Sequence, residues 1–322
     1  MCEVCANIEN LTTYRVNQYD PTRTLTLRDT FVRESNRRFE ELARVVKKAV
    51  DEDDCFGLKI TSPQTFQLQS PGKNAFAFGI TERKIKEFLK WLEQQMDKGV
   101  LTVVELEQAG EAIFPLWTNK YISMAYKRGV QRAREKMIKA GMNIPSIDAS
   151  GGIGYAMSPI HIQRAGLLYI RTYSELKGIT SQMEQIIARI LTQGMIDGEN
   201  PLKLARRLVS AINGAGIGDL GMYDKFGRFI PAKRRAEMMA RTEIIRAHHL
   251  GAIQEYRNFG VLGVHVVAEL RTAGDAKVCV ECSSLEGRQF SLDEAEGIIP
   301  VHPNCRCCTI PVIKRVDRVR AN

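Results

Sequence analysis

The feature that most constrains this chain is a cluster of cysteine and histidine residues near its C-terminus. Cys279 and Cys282 stand three positions apart, and a His-x-x-Cys pair, His302 and Cys305, begins 20 residues after Cys282. Zinc in structural sites takes four such sulfur and nitrogen ligands at tetrahedral corners, and a Cys-x-x-Cys turn supplies two of them. The spacing therefore predicts a metal site made of these four residues, with Cys307 able to replace one of them.

The ligand set stays open, because five candidates compete for four positions and Cys308 is an additional thiol. The alternative interpretation is a group of small buried thiols in a reducing compartment. Cys2 and Cys5 form an isolated pair without a second half, and Cys55 stands alone. A site closed by four protein ligands would be structural, because a catalytic zinc keeps one position for water or substrate.

Most of the chain has the periodicity of amphipathic helices, with apolar residues three and four positions apart. Helices are predicted over residues 22–50, 81–99, 102–114, 119–140, 158–178, 180–194, from 200 onward, and 232–258. After Gly260 the apolar period changes to two, and short strands are predicted at 264–270, 288–290 and 307–313. The predicted fold class is therefore α+β and mainly α, with a small β-rich C-terminal module that a metal site stabilises.

A length of 322 residues fits two domains. Residues 141–158, rich in Gly, Pro and Ser, predict the boundary between a helical N-terminal region, 1–150, and a second domain, 151–322. In the second domain we expect helices over 158–259 and the β-rich metal module over 260–315. The sequence contains no apolar run of about 18 residues and no visible secretion signal, so we expect a soluble intracellular protein.

The net charge of +9 is concentrated in two segments. Residues 120–139 hold seven basic residues and one acidic, and residues 201–250 hold ten and four. Basic residues mixed with aromatic ones suit a phosphate backbone, so we expect non-specific, salt-sensitive binding of double-stranded DNA. The alternative is a solvated helix face. The candidate contacts are Lys127, Arg128, Arg132, Arg134, Lys225, Arg228, Lys233, Arg234 and Arg235.

A group of polar residues interrupts the apolar pattern of the last long helix. It consists of Arg241, Thr242, Glu243, Arg246, His248 and His249. The favoured interpretation is a structural polar cluster that ties this helix to the C-terminal strands through Glu269 or Asp275. The alternative is a nuclease-like or nucleic-acid-modifying site, with Glu243 as the base and a histidine as the acid. No second carboxylate pair and no phosphate-binding loop accompanies Glu243, so we assign no catalytic residue.

Six elements of the C-terminal half occur together in the order of one known family. They are a helical lead-in over 178–208, Arg241-Thr242-Glu243, the turn Thr272-Ala273-Gly274-Asp275, Cys279-x-x-Cys282, Gly287-Arg288, and the closing run from His302 to Cys307. Over about residues 178–314 the chain resembles the phage Mu F-like head morphogenesis proteins, which are minor capsid proteins of tailed phages.

The resemblance implies a non-enzymatic minor head protein of the virion, assembled in the cytoplasm of the bacterial host. Members of this family associate with the portal vertex and assist procapsid assembly, DNA packaging or DNA delivery. The implied partners are therefore the portal protein and the major capsid or scaffold protein. The family's cysteine–histidine set implies a metal at the residues identified above, and we expect Zn²⁺. The helices of residues 1–150 would dock on portal or capsid protein, and the basic segments would face DNA.

Overall fold

The computed structural model describes residues 20–59, 81–102, 117–142, 159–213, 229–261 and 264–314. This part of the chain is mainly helical and carries one small antiparallel sheet near the C-terminus, which confirms the predicted fold class. No helix in these ranges is long and apolar enough to cross a membrane. The predicted helix at 102–114 and the domain boundary at 141–158 lie almost entirely outside the described residues and stay predictions.

Six helices precede the sheet in the described residues. They are α1 (Leu25–Lys47), α2 (Thr81–Met96), α3 (Asn119–Lys139), α4 (Pro159–Ile196), α5 (Pro201–Asn213) and α6 (Ala232–Val261). Single π-helical turns extend α1 and α2, at Lys48–Glu52 and Asp97–Leu101. The C-terminal module contains β1 (His265–Arg271), α7 (Val280–Ser283), β2 (Gln289–Phe290), α8 (Leu292–Ile298) and β3 (Cys308–Lys314).

The chain divides into two compact units, each built from separate segments. The first comprises Met1–Phe31, Trp117–Thr172 and Met238–Asn322, and the second comprises Val32–Leu116 and Tyr173–Glu237. The Cys/His cluster and the sheet belong to the first unit. In the second unit, Arg38 of α1 donates to the Gly99 carbonyl at 2.7 Å and to Thr102 Oγ1 at 2.9 Å.

Helix α4 differs from its prediction, because one continuous helix replaces the two that were expected to meet near Gly178. A single glycine costs a helix only about 1 kcal/mol, which is too little to end it without a proline or a capping side chain. Thr180 was expected to begin the second helix, but its hydroxyl donates to the Lys177 carbonyl at 2.9 Å within the same helix. Asn200 does act as a cap, since its Oδ1 accepts from the Lys203 amide at 2.8 Å where α5 begins.

The sheet has the strand order β2-β1-β3, with both neighbours antiparallel to β1. The pairing of β1 with β3 runs from His265 opposite Lys314 to Arg271 opposite Cys308. All three strands were predicted within a residue or two. A core cluster formed by β1, α3, α6 and α8 packs against the sheet, and it includes Ala133, Met137, Ala252, Ile253, Tyr256, Val266, Ala268 and Ala295.

Helices α3 and α6 cross with their backbones in contact. A Cβ atom at Gly129 would lie 2.0 Å from the His248 carbonyl oxygen, and one at Gly251 would lie 2.4 Å from the Tyr126 carbonyl oxygen. Real Cβ atoms do not approach other atoms so closely, so both positions require glycine. The crossing thereby fixes which residues of α6 lie opposite which residues of α3.

We expect Gly129→Ala to lower the free energy of unfolding by about 1–3 kcal/mol, because the added methyl group must push the two backbones apart. Gly178→Ala is the matched control. A Cβ atom added at Gly178 would have no neighbouring atom within 4 Å outside its own helix backbone. Alanine there should raise stability by up to about 1 kcal/mol. Chemical denaturation measures both values, and an unchanged midpoint for Gly129→Ala would contradict the close crossing.

Candidate metal centre

The Cys279–Cys282 turn forms one half of the centre. Cys279 is extended and caps α7, and its sulfur accepts a hydrogen bond from the Cys282 backbone N–H at 3.3 Å. Such an N–H···S bond stabilises a thiolate. Val280, between the two cysteines, is 88% exposed, so the turn projects from the surface while Cys282 is buried.

His302 closes the first trio of donor atoms. Its Nε2 lies 3.2 Å from Cys279 Sγ and 3.1 Å from Cys282 Sγ. Its Nδ1 lies 2.8 Å from the Pro303 carbonyl oxygen. A carbonyl can only accept, so Nδ1 carries the proton and the Nε2 lone pair points to the sulfurs, as it does in a metal-binding histidine.

A second trio shares Cys282 with the first. The sulfur atoms of Cys282, Cys305 and Cys307 lie within 4.8 Å of one another, and all three residues are buried. They pack against Ile245, Leu270 and Ile299. The five predicted ligands therefore converge on two overlapping groups, each of which could hold a metal ion.

A small pocket beside the first trio brings one further thiol close to these donor atoms. Cys307 lines this pocket together with Cys279, Cys282 and His302, and the cationic residues Lys277 and Arg306 lie at its edge. The substitute ligand of the sequence prediction therefore borders the trio directly. The donor set fits a metal that prefers sulfur and imidazole, since every donor is a thiol or an imidazole nitrogen.

The thiols differ strongly in acidity. A hydrogen bond from the Cys307 thiol, together with backbone N–H groups, lowers the pKa of Cys305 to about 5. Burial, together with the nearby Cys305 charge, raises the pKa of Cys282 to about 12. The Cys282 N–H lowers the pKa of Cys279. A thiolate thus forms readily at Cys305 and Cys279, and a metal would be needed to deprotonate Cys282.

A contact with helix α6 and a hydrogen bond within the turn hold the His302–Cys305 turn in place. Asn304 has a left-handed backbone, with φ at 62°, and its N–H donates to the Thr242 hydroxyl of α6 at 3.0 Å. The Cys305 N–H donates to the His302 carbonyl at 3.1 Å. Sequence reasoning missed the Thr242–Asn304 contact, because nothing in the spacing pairs residues 62 positions apart.

The acidic members of the predicted polar cluster are paired with arginines. Asp275 binds Arg306 through two hydrogen bonds of 2.6 Å, which lower the Asp275 pKa to about 2. Glu243 is 3% exposed and pairs with Arg246 at 3.2 Å and with Arg171 at 3.4 Å. Arg241 is half-buried on the same helix. The contact that joins α6 to the C-terminal loop is that of Thr242 with Asn304.

The two histidines of α6 are also buried. His249 Nε2 donates to the Ala295 carbonyl at 2.7 Å, and burial lowers its pKa to about 4. Burial also lowers the pKa of His248 well below its usual value. A histidine that stays neutral at pH 7 cannot serve as the general acid, and a carboxylate paired with two arginines is a weak general base. This geometry therefore does not favour the nuclease-like interpretation.

The predicted DNA-contacting residues are distributed between surface and interior. On α3, Lys127 is exposed and Arg128 and Arg132 are half-buried, whereas Arg134 is buried and donates to Glu255 at 2.7 Å. Lys225 and Arg228 lie outside the described residues.

The basic residues at the start of α6 mostly have partners inside the protein. Lys233 pairs with Glu40, and Arg234 pairs with Glu237 at 2.6 Å. Arg235 is buried and donates to the Gln182 side chain. Arg134 and Arg235 are therefore enclosed by protein contacts, and neither is accessible to a DNA backbone.

In protein stripped of metal by a chelator, we expect iodoacetamide to modify Cys279 before Cys55 and Cys308. The thiolate is the reactive form, and Cys279 is half-buried with a lowered pKa. Burial raises the pKa of Cys55 to about 12 and also raises that of Cys308. Peptide mass spectrometry over a time course gives the order of modification. Faster labelling of Cys308 would contradict the described geometry.

Residues 185–310 match the family described as Phage Mu protein F like protein. No curated protein and no solved structure matches the chain significantly. The matched range contains α5, α6, β1, β2, the start of β3 and every residue of the two donor trios. The resemblance predicted from the sequence is therefore confirmed over residues 185–310, which are similar to phage Mu protein F-like proteins.

Proposed function

We propose that the chain is a minor head protein of a tailed phage that associates with the portal vertex and assists head assembly, DNA packaging or DNA delivery. The observation that supports this proposal is the family match over residues 185–310. Its partners are the portal protein and the major capsid or scaffold protein, and it resides in the phage head after assembly in the host cytoplasm. The helices before residue 150 dock on portal or capsid protein.

We propose a structural rather than an enzymatic role. The carboxylate of Glu243 and the imidazoles of His248 and His249 are buried inside the fold, so substrate cannot reach them without local opening. Glu243 instead pairs with Arg171 of α4, and His249 donates to the Ala295 carbonyl of α8. The adjacent Thr242 accepts a hydrogen bond from the Asn304 N–H in the His302–Cys305 turn.

The metal centre completes this role by stabilising the small C-terminal module. We propose that Zn²⁺ is bound by Cys279, Cys282 and His302, with Cys307 or Cys305 as the fourth ligand. A module with one three-stranded sheet and two short helices buries little apolar surface by itself. Zinc binding to such a module contributes directly to its folding free energy.

The zinc proposal predicts about one zinc per chain in protein purified under reducing conditions. Cys282→Ser should lose this zinc and melt at a lower temperature, because Cys282 belongs to both donor trios. Cys308→Ala is the matched control, since Cys308 lies beside the centre but in neither trio. Elemental analysis and thermal melting measure both effects. Full zinc content and unchanged melting of Cys282→Ser would overturn the proposal.

The functional proposal predicts that the chain co-purifies with the portal protein encoded in the same genome. We expect a tagged portal protein to retain the full chain, and purified virions to contain it in few copies by quantitative mass spectrometry. A tagged cytosolic protein of similar size is the control for non-specific retention. Absence from virions, together with no retention by portal, capsid or scaffold protein, would contradict a minor head protein.

A further inference from the structure

The two cysteines of the Cys279–Cys282 turn differ in their access to solvent. Cys279 is half-buried and the neighbouring Val280 is 88% exposed, whereas Cys282 is 3% exposed. The two remaining thiols of the donor trios, those of Cys305 and Cys307, are buried as Cys282 is. A dissolved reagent that approaches the candidate metal centre therefore meets the Cys279 sulfur first.

The buried thiol of Cys282 lies next to this accessible sulfur. The Cys282 backbone N–H donates to Cys279 Sγ at 3.3 Å. The two sulfur atoms lie 3.2 and 3.1 Å from His302 Nε2, and all three donor atoms lie within 4.8 Å of one another. Since the S–S bond of a disulfide is about 2 Å long, the two sulfurs need to approach by less than about 3 Å to form one. An accessible thiol beside a buried second thiol is the arrangement of a nucleophilic and a resolving cysteine.

We propose that, in the metal-free chain, Cys279 and Cys282 form a reactive dithiol that glutathione disulfide or a similar small disulfide oxidises to an intramolecular disulfide. The Cys279 thiolate attacks one sulfur of the reagent, a mixed disulfide forms, and the first glutathione thiolate leaves. The Cys282 sulfur then attacks Cys279 Sγ, and the second glutathione thiolate leaves. The two cysteines lose two electrons, the reagent gains them, and the two cysteine protons end on the two released glutathione molecules.

Oxidation and metal binding exclude each other, because both use the same two sulfur atoms and a metal binds thiolates. Formation of the disulfide would remove two of the three donors of the first trio and leave His302 alone. This exclusion rests on the proposed zinc site, whereas oxidation of the turn rests on the geometry of the two thiols. In the proposed function the chain is assembled in the reducing cytoplasm and leaves it inside the virion. We therefore expect the centre to hold metal in the first environment and to become oxidisable in the second.

Cys307 is the competing partner for Cys279, because it lines the same small pocket. Peptide mass spectrometry separates the two pairings. Trypsin releases residues 278–288 as one peptide whose only cysteines are Cys279 and Cys282, and Cys307 lies on another peptide. A disulfide inside the first peptide lowers its mass by two hydrogen atoms, whereas a mixed disulfide adds one glutathione.

The test treats the chelator-stripped full chain with glutathione disulfide at about pH 8, blocks the remaining thiols with iodoacetamide, and digests the chain. In the wild type we expect the disulfide within residues 278–288 to form at least about tenfold faster than glutathione modifies Cys55 or Cys308. Cys279→Ser should leave Cys282 reduced, and Cys282→Ser should stop at the mixed disulfide on Cys279. Cys308→Ala is the matched control, because Cys308 belongs to neither trio, and it should react as the wild type does.

Continued protection of the buried Cys55 verifies that each variant is folded, and the wild-type result stands without the variants. Wild-type stripped chain that stays reduced in residues 278–288, or that links Cys279 to Cys307, would overturn the dithiol and leave zinc binding standing.

A second readout follows the metal. Chain loaded with zinc should form the disulfide at least about tenfold more slowly, and the zinc released to a colorimetric chelator should equal the disulfide formed. Equal rates with and without bound zinc would overturn the exclusion between oxidation and metal binding. Chain that binds no zinc but still forms the disulfide would overturn the zinc proposal and leave the dithiol standing.

Discussion

The backbone contact between α3 and α6 at Gly129 and Gly251 positions both the candidate metal centre and the basic residues of α3. Helix α6 carries Thr242, which receives the Asn304 N–H and so holds the second half of the Cys/His cluster. The same helix carries His248, whose carbonyl lies against α3 beside Arg128 and Arg132. Because glycine leaves no side chain between the helices, backbone atoms set their separation. The residues that the two helices carry are therefore held at fixed positions relative to each other.

Within the C-terminal module, Cys282 has the corresponding role. Its sulfur belongs to both donor trios, and its N–H stabilises the Cys279 sulfur. Burial keeps its own proton in place, whereas Cys305 ionises easily. A thiol of this kind loses its proton when a metal binds to its sulfur, and not in water at neutral pH. We therefore expect ordering of the module and metal binding to occur together. Cys305 and Cys307, the other members of the second trio, are the candidates for a fourth donor.

The sequence predicted the elements well and the long-range contacts poorly. Helical periodicity located α1, α3 and α6, and the change to a period of two located β1 and β3 within a residue or two. Periodicity and turn residues are local signals, and they failed where a local signal was ambiguous, as at Gly178 inside α4. The sequence could predict that the candidate donor residues converge, because their spacing is itself chemical information. The contact of Thr242 with Asn304, and the occupation of Arg134 by Glu255, depend on tertiary packing that no local pattern encodes.

The same limit explains why the net charge of a segment overstates the number of basic side chains that remain available to bind DNA. Both basic segments have clear positive excesses, yet many of their side chains already have internal partners. Lys233 and Arg234 are paired with carboxylates, and Arg134 turns into the core to neutralise Glu255. What attracts a polyanion is the charge that remains unpaired after folding, because a paired cation would first have to give up its existing partner. On that criterion the positive potential of α3 comes from its exposed lysines and from the half-buried Arg128 and Arg132, of which Arg132 has an Nε atom without a hydrogen-bond partner among the described residues.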